Sequence, residues 1–259
     1  MVTGASAGLG EEYAWQLAAR SRSLVLVARR EDRLRELATS IQSRFPEVQV
    51  FVFPVDLGDE AAREALVAAL AERGLVPDLL VNNAGLGDYG EFVTADWAKL
   101  QAMLRVNIEA LTHLTRLLVP GMIGRGRGAV MNVSSLASLL PLPDFAVYAA
   151  SKAYVTSFSE ALRIELREHR IPVIAVCPGP VHTEFGEVAK RSKDSPGLPG
   201  RENFYIPKYR VVRESLQALE RNRARVYPGL RTAAAALVIS ALPLLLLRCA
   251  LGQMRQPKC

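Results

Sequence analysis

Two hundred and fifty-nine residues suit one domain, or at most two small ones. Half of them are hydrophobic and 22% are charged, which excludes disorder, a collagen-like repeat and a disulfide-rich miniprotein. The formal charge of +6 raises polyanion binding, but residues 220–259 carry seven basic side chains against one acidic, and the rest of the chain balances.

In chain order, the Gly-rich run Thr3-Gly4-Ala5-Ser6-Ala7-Gly8-Leu9-Gly10 comes first and opens into a helix pattern over Glu11–Ala19. Strand patterns at Leu24–Val27, Val48–Phe53, Leu79–Val81, Ala129–Val133 and Val173–Val176 alternate with helix patterns at Arg30–Arg44, Glu60–Arg73, Leu100–Val119 and Tyr148–His169. Apolar strands separated by helices predict an α/β fold, a doubly wound parallel sheet of Rossmann type in three layers. Residues 188–206, rich in Lys, Ser, Pro and Gly, read as a mobile loop with room for short helical pieces. A strand of about five or six residues should precede the Gly-rich turn, yet only Met1 and Val2 do. Either the first strand is truncated or the sheet has a central stub. Truncation is the better reading, because a lost central strand exposes two sheet edges.

The glycines let backbone approach a pyrophosphate, and the helix that follows offers unpaired N–H groups and a positive dipole end. The spacing is one residue longer at the front than the common dinucleotide fingerprint. The second strand ends at Ala28, followed by Arg29 and Arg30. An acid there would bind a ribose 2′-hydroxyl; an arginine suits a 2′-phosphate. Arg29 therefore points to NADP(H) over NAD(H), the plainer reading being that both arginines start a solvated helix.

Tyr148 and Lys152 are four residues apart and share one helical face. A nearby cation favours the phenolate and brings the phenol towards working pH. Upstream, Asn132-Val133-Ser134-Ser135 closes a predicted strand, and a serine hydroxyl there can hydrogen-bond a carbonyl oxygen as charge develops on it. Asn107 is helix-unfavourable within an inward-packing helix pattern, which favours a functional reading. Phe145 and Tyr154 read as packing.

Together, residues 3–229 resemble the short-chain dehydrogenase/reductase superfamily. The resemblance rests on Thr3–Gly10, Asp56-Leu57, Asn82-Asn83-Ala84-Gly85, Asn107, Ser135, Tyr148-x-x-x-Lys152 and Pro178-Gly179 in that order. The chain looks most like the NADP-preferring, bacterial-type carbonyl reductases, with some likeness to long-chain 3-oxoacyl and hydroxysteroid reductases. The resemblance implies Tyr148 as acid/base, Lys152 as its pKa-lowering partner and ribose ligand, and Ser135 as the group that polarises the carbonyl. Ser134 takes that last role if the register slips. It implies Asn107 as the anchor of a water leading from Lys152 to solvent. Gly4, Ser6, Gly8, Leu9 and Gly10 would line the pyrophosphate and ribose. Asp56 and Leu57 would touch adenine, with Asn83 and Ala84 on the adenosine side, though Asn83 is equally a structural clamp. Within Pro178-Gly179-Pro180-Val181-His182-Thr183, Val181 backbone and the Thr183 hydroxyl would grip the carboxamide. Family likeness also implies a homo-oligomer.

The expected activity is hydride transfer between NADP(H) and a small-molecule ketone or secondary alcohol. A lipophilic substrate is expected from the apolar tail and a pocket-lining segment over 185–209. The rival is a non-catalytic NADP-binding regulator or membrane scaffold, against which the intact Ser, Tyr and Lys argue. An epimerase or dehydratase of the extended relatives is disfavoured by the short region after Pro178. Cys177, Cys249 and Cys259 lack ligand-like spacing and His113, His169 and His182 are scattered, so no metal is expected. No secretory leader pattern is visible, and a reducing cytosol is the default compartment.

Residues 1–229 are read as the catalytic domain and 230–259 as a tail. Thr232–Leu247 is an uncharged run between Arg231 and Arg248, about 24 Å long as one helix and short of the roughly 30 Å hydrocarbon core. Three arrangements compete: an interfacial or embedded anchor, a helix closing the pocket or a dimer interface, and a marginal span kinked at Pro243. The first puts the protein at the cytoplasmic face of a membrane, with basic flanks towards anionic headgroups. Nucleic acid is a poor partner, because no aromatic stacking pattern accompanies the arginines.

Overall fold

A computed structural model describes residues 1–191 and 205–253. Among the described residues, seven parallel strands form one sheet in the order β3-β2-β1-β4-β5-β6-β7. They are β1 (Val2–Thr3), β2 (Ser23–Ala28), β3 (Gln49–Pro54), β4 (Leu79–Asn82), β5 (Ala129–Val133), β6 (Val173–Val176) and β7 (Arg225–Val226). Helices α1 (Gly8–Ala18), α2 (Glu31–Arg44), α3 (Glu60–Glu72), α4 (Trp97–Leu104), α5 (Leu111–Gly124) and α6 (Ala146–Glu165) connect them. Short α7 (Glu184–Ala189) follows β6, and α8 (Lys208–Glu220) leads into β7.

Period-two alternation sorts the strand side chains into two cores, as a sheet covered on both faces requires. Leu24, Leu26, Met131, Val133, Ile174 and Val176 face one layer, with Tyr13 of α1, Leu34 and Ile41 of α2 and Val212 and Leu216 of α8. Val25, Val27, Val130 and Val173 face the other, against Leu66 and Leu70 of α3 and Leu114, Leu118 and Met122 of α5. Each fully buried aliphatic side chain contributes about 1.5–3 kcal/mol, so both layers are held chiefly by apolar burial.

Strand β1 is a two-residue stub, yet it pairs with both neighbours, Val2 with Leu26 and Val81. The ladder continues beyond it by other means. Thr3 Oγ1 donates to Val81 O at 3.1 Å and accepts from the N–H groups of Asn83 and Ala84 at 2.9 and 3.0 Å. Ala5 N–H reaches Val27 O at 3.2 Å. The strand order reverses direction between β1 and β4, and a ligand crevice is expected at that switch point, outside the carboxyl ends of the strands.

The tail departs from a single helix. It forms α9 (Leu230–Ala241) and α10 (Leu244–Gln253), with a break at Leu242-Pro243. Proline has no N–H to continue the ladder and drives the residue before it to extended backbone; Leu242 has φ −78° and ψ 134°. At 1.5 Å per residue α9 reaches about 18 Å. Among the described residues no helix is long and apolar enough to cross a membrane. Part of the segment read as a loop over 188–206 is also ordered: α7 covers its start and Ile206 bridges to Val181, while residues 192–204 lie outside the described part.

Candidate active site

A crevice of about 720 Å³ runs across the carboxyl ends of the strands, at the switch point. Gly4, Ser6, Gly8, Leu9, Arg29, Asp56, Leu57, Asn83, Ala84, Ser135, Tyr148, Lys152, Pro178, Gly179, Val181 and Thr183 all line it. Gly10 and Asn107 do not. Gly10 is buried, and a Cβ there would stand 2.1 Å from Gly4 O, so its lack of a side chain lets α1 close onto the turn. Gly10 therefore packs behind the turn and is not among the residues that line the crevice.

The Gly-rich turn is shaped for an anion. Gly4 has φ +65° and Gly8 φ +60°, the left-handed region that glycine adopts without strain. The residue before α1 is Ala7, whose side chain cannot cap, so the first N–H groups of the helix are left to the crevice. Added bulk at Gly8 would meet Thr183 at 3.2 Å, so loop and opposite wall already stand at contact distance. The donor set therefore fits a dinucleotide pyrophosphate. Asn83 clamps the turn, with Nδ2 donating to Thr3 O at 2.9 Å and to Gly4 O at 3.4 Å. Beyond the turn, Arg29 and Arg30 are exposed at the rim. Arg30 donates to Ser6 Oγ at 3.2 Å and to Glu184 at 2.9 Å. This guanidinium holds the Glu184 carboxyl below the usual range.

At the other end, Tyr148 and Lys152 leave the first turns of α6 towards the crevice, with Nζ 5.8 Å from the phenol ring centroid. Nζ donates to Val133 O at 2.9 Å. Burial lowers the Lys152 pKa to about 8. Ser135 caps a 3₁₀ turn over Leu136–Leu139, its Oγ accepting from Ala137 N–H at 3.1 Å, which leaves the hydroxyl proton to donate elsewhere. Ser134 also lines the crevice, but its hydroxyl is buried and already bonded to Lys152 O at 2.8 Å and Thr156 at 2.7 Å.

Asn107 sits behind the wall in a π-helical turn, Arg105–Ala110, between α4 and α5. Its Oδ1 accepts from Leu86 N–H at 2.8 Å, and its Nδ2 donates to Leu86 O at 2.9 Å and Ser151 Oγ at 3.0 Å. The side chain thus ties the loop after β4 to α6. A Cβ on Gly85 would meet both Lys152 Nζ, at 3.3 Å, and Asn107 Oδ1, at 3.4 Å, so the two groups flank one glycine. A π turn opens the i→i+4 ladder and often marks a functional site.

Sequence reasoning missed several neighbours. Phe145 does pack, and what it packs on is Tyr148, stacked at 4.2 Å with 24° between the rings. Phe185 of α7 lies 5.5 Å from the same phenol. Tyr154 stands apart, bonded to Thr112 at 3.0 Å and stacked on Phe158. Of the described residues in the segment expected to line the pocket over 185–209, Phe185, Gly186, Val188, Ala189 and Lys190 do so. Tyr209 does not; it is exposed on α8. Leu86, Leu140 and Leu142 complete an apolar chamber beside Tyr148, and the tail adds Ala235, Ile239 and Leu251. Among the described residues one metal-like cluster occurs, Glu60, Glu64 and His113, none of which lines this crevice; His113 Nδ1 already accepts from Arg63 at 3.1 Å.

Comparison with known proteins agrees with this geometry. A family profile described as short chain dehydrogenase matches residues 1–194. The chain is 32% identical over 223 residues to the human very-long-chain 3-oxoacyl-CoA reductase, covering 80% of this chain and 70% of that protein. It is 35% identical over 212 residues to the Arabidopsis thaliana very-long-chain 3-oxoacyl-CoA reductase-like protein, covering 79% and 66%. The chain thus spans about two thirds of these relatives' length. Among solved structures, a short-chain dehydrogenase from Sphingobium yanoikuyae in complex with NADPH superposes with a TM-score of 0.81 at 30% identity, covering 100% and 96%. The bulky-bulky ketone specific alcohol dehydrogenase from Comamonas testosteroni gives 0.77 at 26% identity, covering 100% and 94%.

Proposed function

The chain belongs to the short-chain dehydrogenase/reductase family, and from that premise we propose that it moves a hydride between NADP(H) and a lipophilic ketone or its secondary alcohol. It is an oxidoreductase on a Rossmann-type sheet. The observation that carries the reading is one crevice with an anion cradle at one end and Ser135, Tyr148 and Lys152 at the apolar other. The 3-oxoacyl and bulky-ketone names of its relatives support a long or bulky apolar substrate.

Gly4, Ser6, Gly8 and Leu9 would hold the pyrophosphate, with Asp56, Leu57, Asn83 and Ala84 along the adenosine. Arg29 would meet the 2′-phosphate, and Pro178, Gly179, Val181 and Thr183 would hold the carboxamide. When bound, the nicotinamide supplies the hydride to the carbonyl carbon. The Ser135 hydroxyl donates to the carbonyl oxygen and stabilises the charge that develops there. Tyr148 passes its phenolic proton to that oxygen. The Lys152 ammonium stabilises the phenolate left behind. Asn107 is a positioning residue, fixing Leu86 and Ser151 around that pair. Phe145 and Phe185 keep water from the phenol and fix its ring.

Residues 1–229 act as the catalytic unit, expected to assemble as a homo-oligomer in the cytosol. The tail, residues 230–259, makes a peripheral contact with the cytoplasmic face of a membrane, supported by its apolar, basic-flanked sequence. The test is NADPH oxidation with a panel of ketones. Turnover of long acyl or steroid-like ketones, abolished in Tyr148→Phe, is the expected result. Turnover of short polar ketones only would overturn the lipophilic assignment, and full turnover in the Phe variant would overturn the acid.

A further inference from the structure

Helix α9 buries one stripe and exposes another, as a surface helix does, but both stripes are apolar. Thr232, Ala235, Ala236 and Ile239, at i, i+3, i+4 and i+7, form the inward stripe; Ala235 and Ile239 reach the crevice itself. The outward stripe carries Leu237 at 73% exposure and Val238 at 59%, and α10 continues it with Leu245 at 69% and Leu246 at 53%. A helix that meets only water on its outer side has polar residues there. Leu251 of α10 returns to line the same crevice. One element therefore forms a wall of the substrate chamber on one side and an unsheathed apolar face on the other.

The charge distribution says what covers that face. Arg231 and Arg248 bound the apolar run, and the whole formal excess of +6 falls within residues 220–259. An apolar run bounded in sequence by arginines matches an anionic bilayer, whose acyl region takes the leucines and whose headgroups take basic flanks. A second copy of this chain would bring the same net +6 of its own residues 220–259 towards the first.

We infer that the α9–α10 pair is a lipid-facing gate: its outer face lies in an anionic membrane surface, and the ketone passes between its inner face and the crevice without crossing water. This rests on the reductase reading above and adds where the substrate comes from. The pair is set off from the catalytic domain and divided within itself by two backbone breaks. Gly229, at φ +83°, starts α9, with its N–H on Glu214 at 2.7 Å, and Leu242-Pro243 separates the two helices.

The experiment compares the full chain with the variant Leu237→Asp/Val238→Asp. Two substrates are used, a short water-soluble ketone and a long-chain ketone carried in phosphatidylcholine–phosphatidylglycerol vesicles. Co-sedimentation with those vesicles, and with phosphatidylcholine alone, gives a readout independent of turnover. The gate predicts that the variant keeps its kcat/KM on the soluble ketone within about twofold but loses about tenfold or more on the vesicle-borne one, together with sedimentation. Lost sedimentation with unchanged turnover of the vesicle-borne ketone would overturn the gate and leave the membrane contact standing. Unchanged sedimentation in the variant, or equal sedimentation of wild type on uncharged vesicles, would overturn an anionic lipid as the occupant. A wild-type dimer that the variant turns into a monomer, without change on vesicles, would assign the face to a second copy. No turnover of either ketone by a wild-type chain that sediments would overturn the reductase reading, and the gate with it.

Discussion

At the chemical end of the crevice, Lys152, Ser134 and Asn107 are buried and each is held by hydrogen bonds from a different element. At the adenosine end, Arg29 and Arg30 are exposed, and among the described residues Arg30 is tied to exposed or half-buried groups, Ser6 and Glu184. Proton transfer needs its donor fixed within fractions of an ångström, and burial among paired polar groups supplies that rigidity. Recognition of a 2′-phosphate needs only a charge that can reach it, and an exposed guanidinium does so at little cost in stability. The chemical end should therefore tolerate almost no substitution, and the adenosine end should respond by degrees.

Substitutions at the two ends turn this contrast into measurements. Tyr148→Phe should lower kcat/KM for reduction by about a thousandfold or more, a loss of about 4 kcal/mol in transition-state stabilisation, while NADPH binding followed by fluorescence is unchanged. Asn107→Ala leaves the Leu86 N–H and C=O without their side-chain partner, while the Ser151 hydroxyl keeps its bond to Tyr148 O; we expect about 1–3 kcal/mol of lost stability in denaturant titration and a fall in kcat larger than any change in KM. Arg29→Ala should raise the KM for NADPH about tenfold or more and leave NADH untouched, a split that an effect on folding would not give.

The pH profile tests the chemical end without a mutation. Lys152 is lowered to about 8 by burial, so its ammonium is present below that pH and lost above it. Reductive kcat/KM should be level below about pH 8 and fall about tenfold per unit above it. A profile flat to pH 10 would show that the cation is not needed. The smallest effect is expected at Glu184→Gln. Releasing Arg30 from its ion pair should lower the KM for NADPH by about two- to threefold, a surface pair being worth about 0.2–1 kcal/mol. A rise instead would mean that Glu184 positions Arg30 for the phosphate.

The strands and helices were legible because their signals are local. Ala129–Val133 and Val173–Val176 are observed with the bounds that hydrophobic patterning gives, since near-continuous apolar strands have one arrangement that buries both faces. β7 and α8 escaped, because a two-residue strand carries no period and Arg225 at its start reads as solvated. The order of motifs was enough to bring Ser135, Tyr148 and Lys152 to one crevice. The partners that hold them were not legible: nothing near Asn107 in sequence points to Leu86, 21 residues away, or to Ser151, 44 away.

What the sequence alone determined was the sheet and its direction, from local pattern, the family resemblance, from motifs in a known order, and the location of the charge excess, from simple counting. Only tertiary structure decided that the Ser134 hydroxyl is spent on Lys152 O and Thr156 while Ser135 caps a turn at the crevice, and that Gly10 packs where Gly8 lines. It also decided that the greasy tail divides at Pro243 into a wall of the chamber. Those outcomes depend on which atoms meet across the fold, and contact between distant segments leaves no mark in the spacing of either.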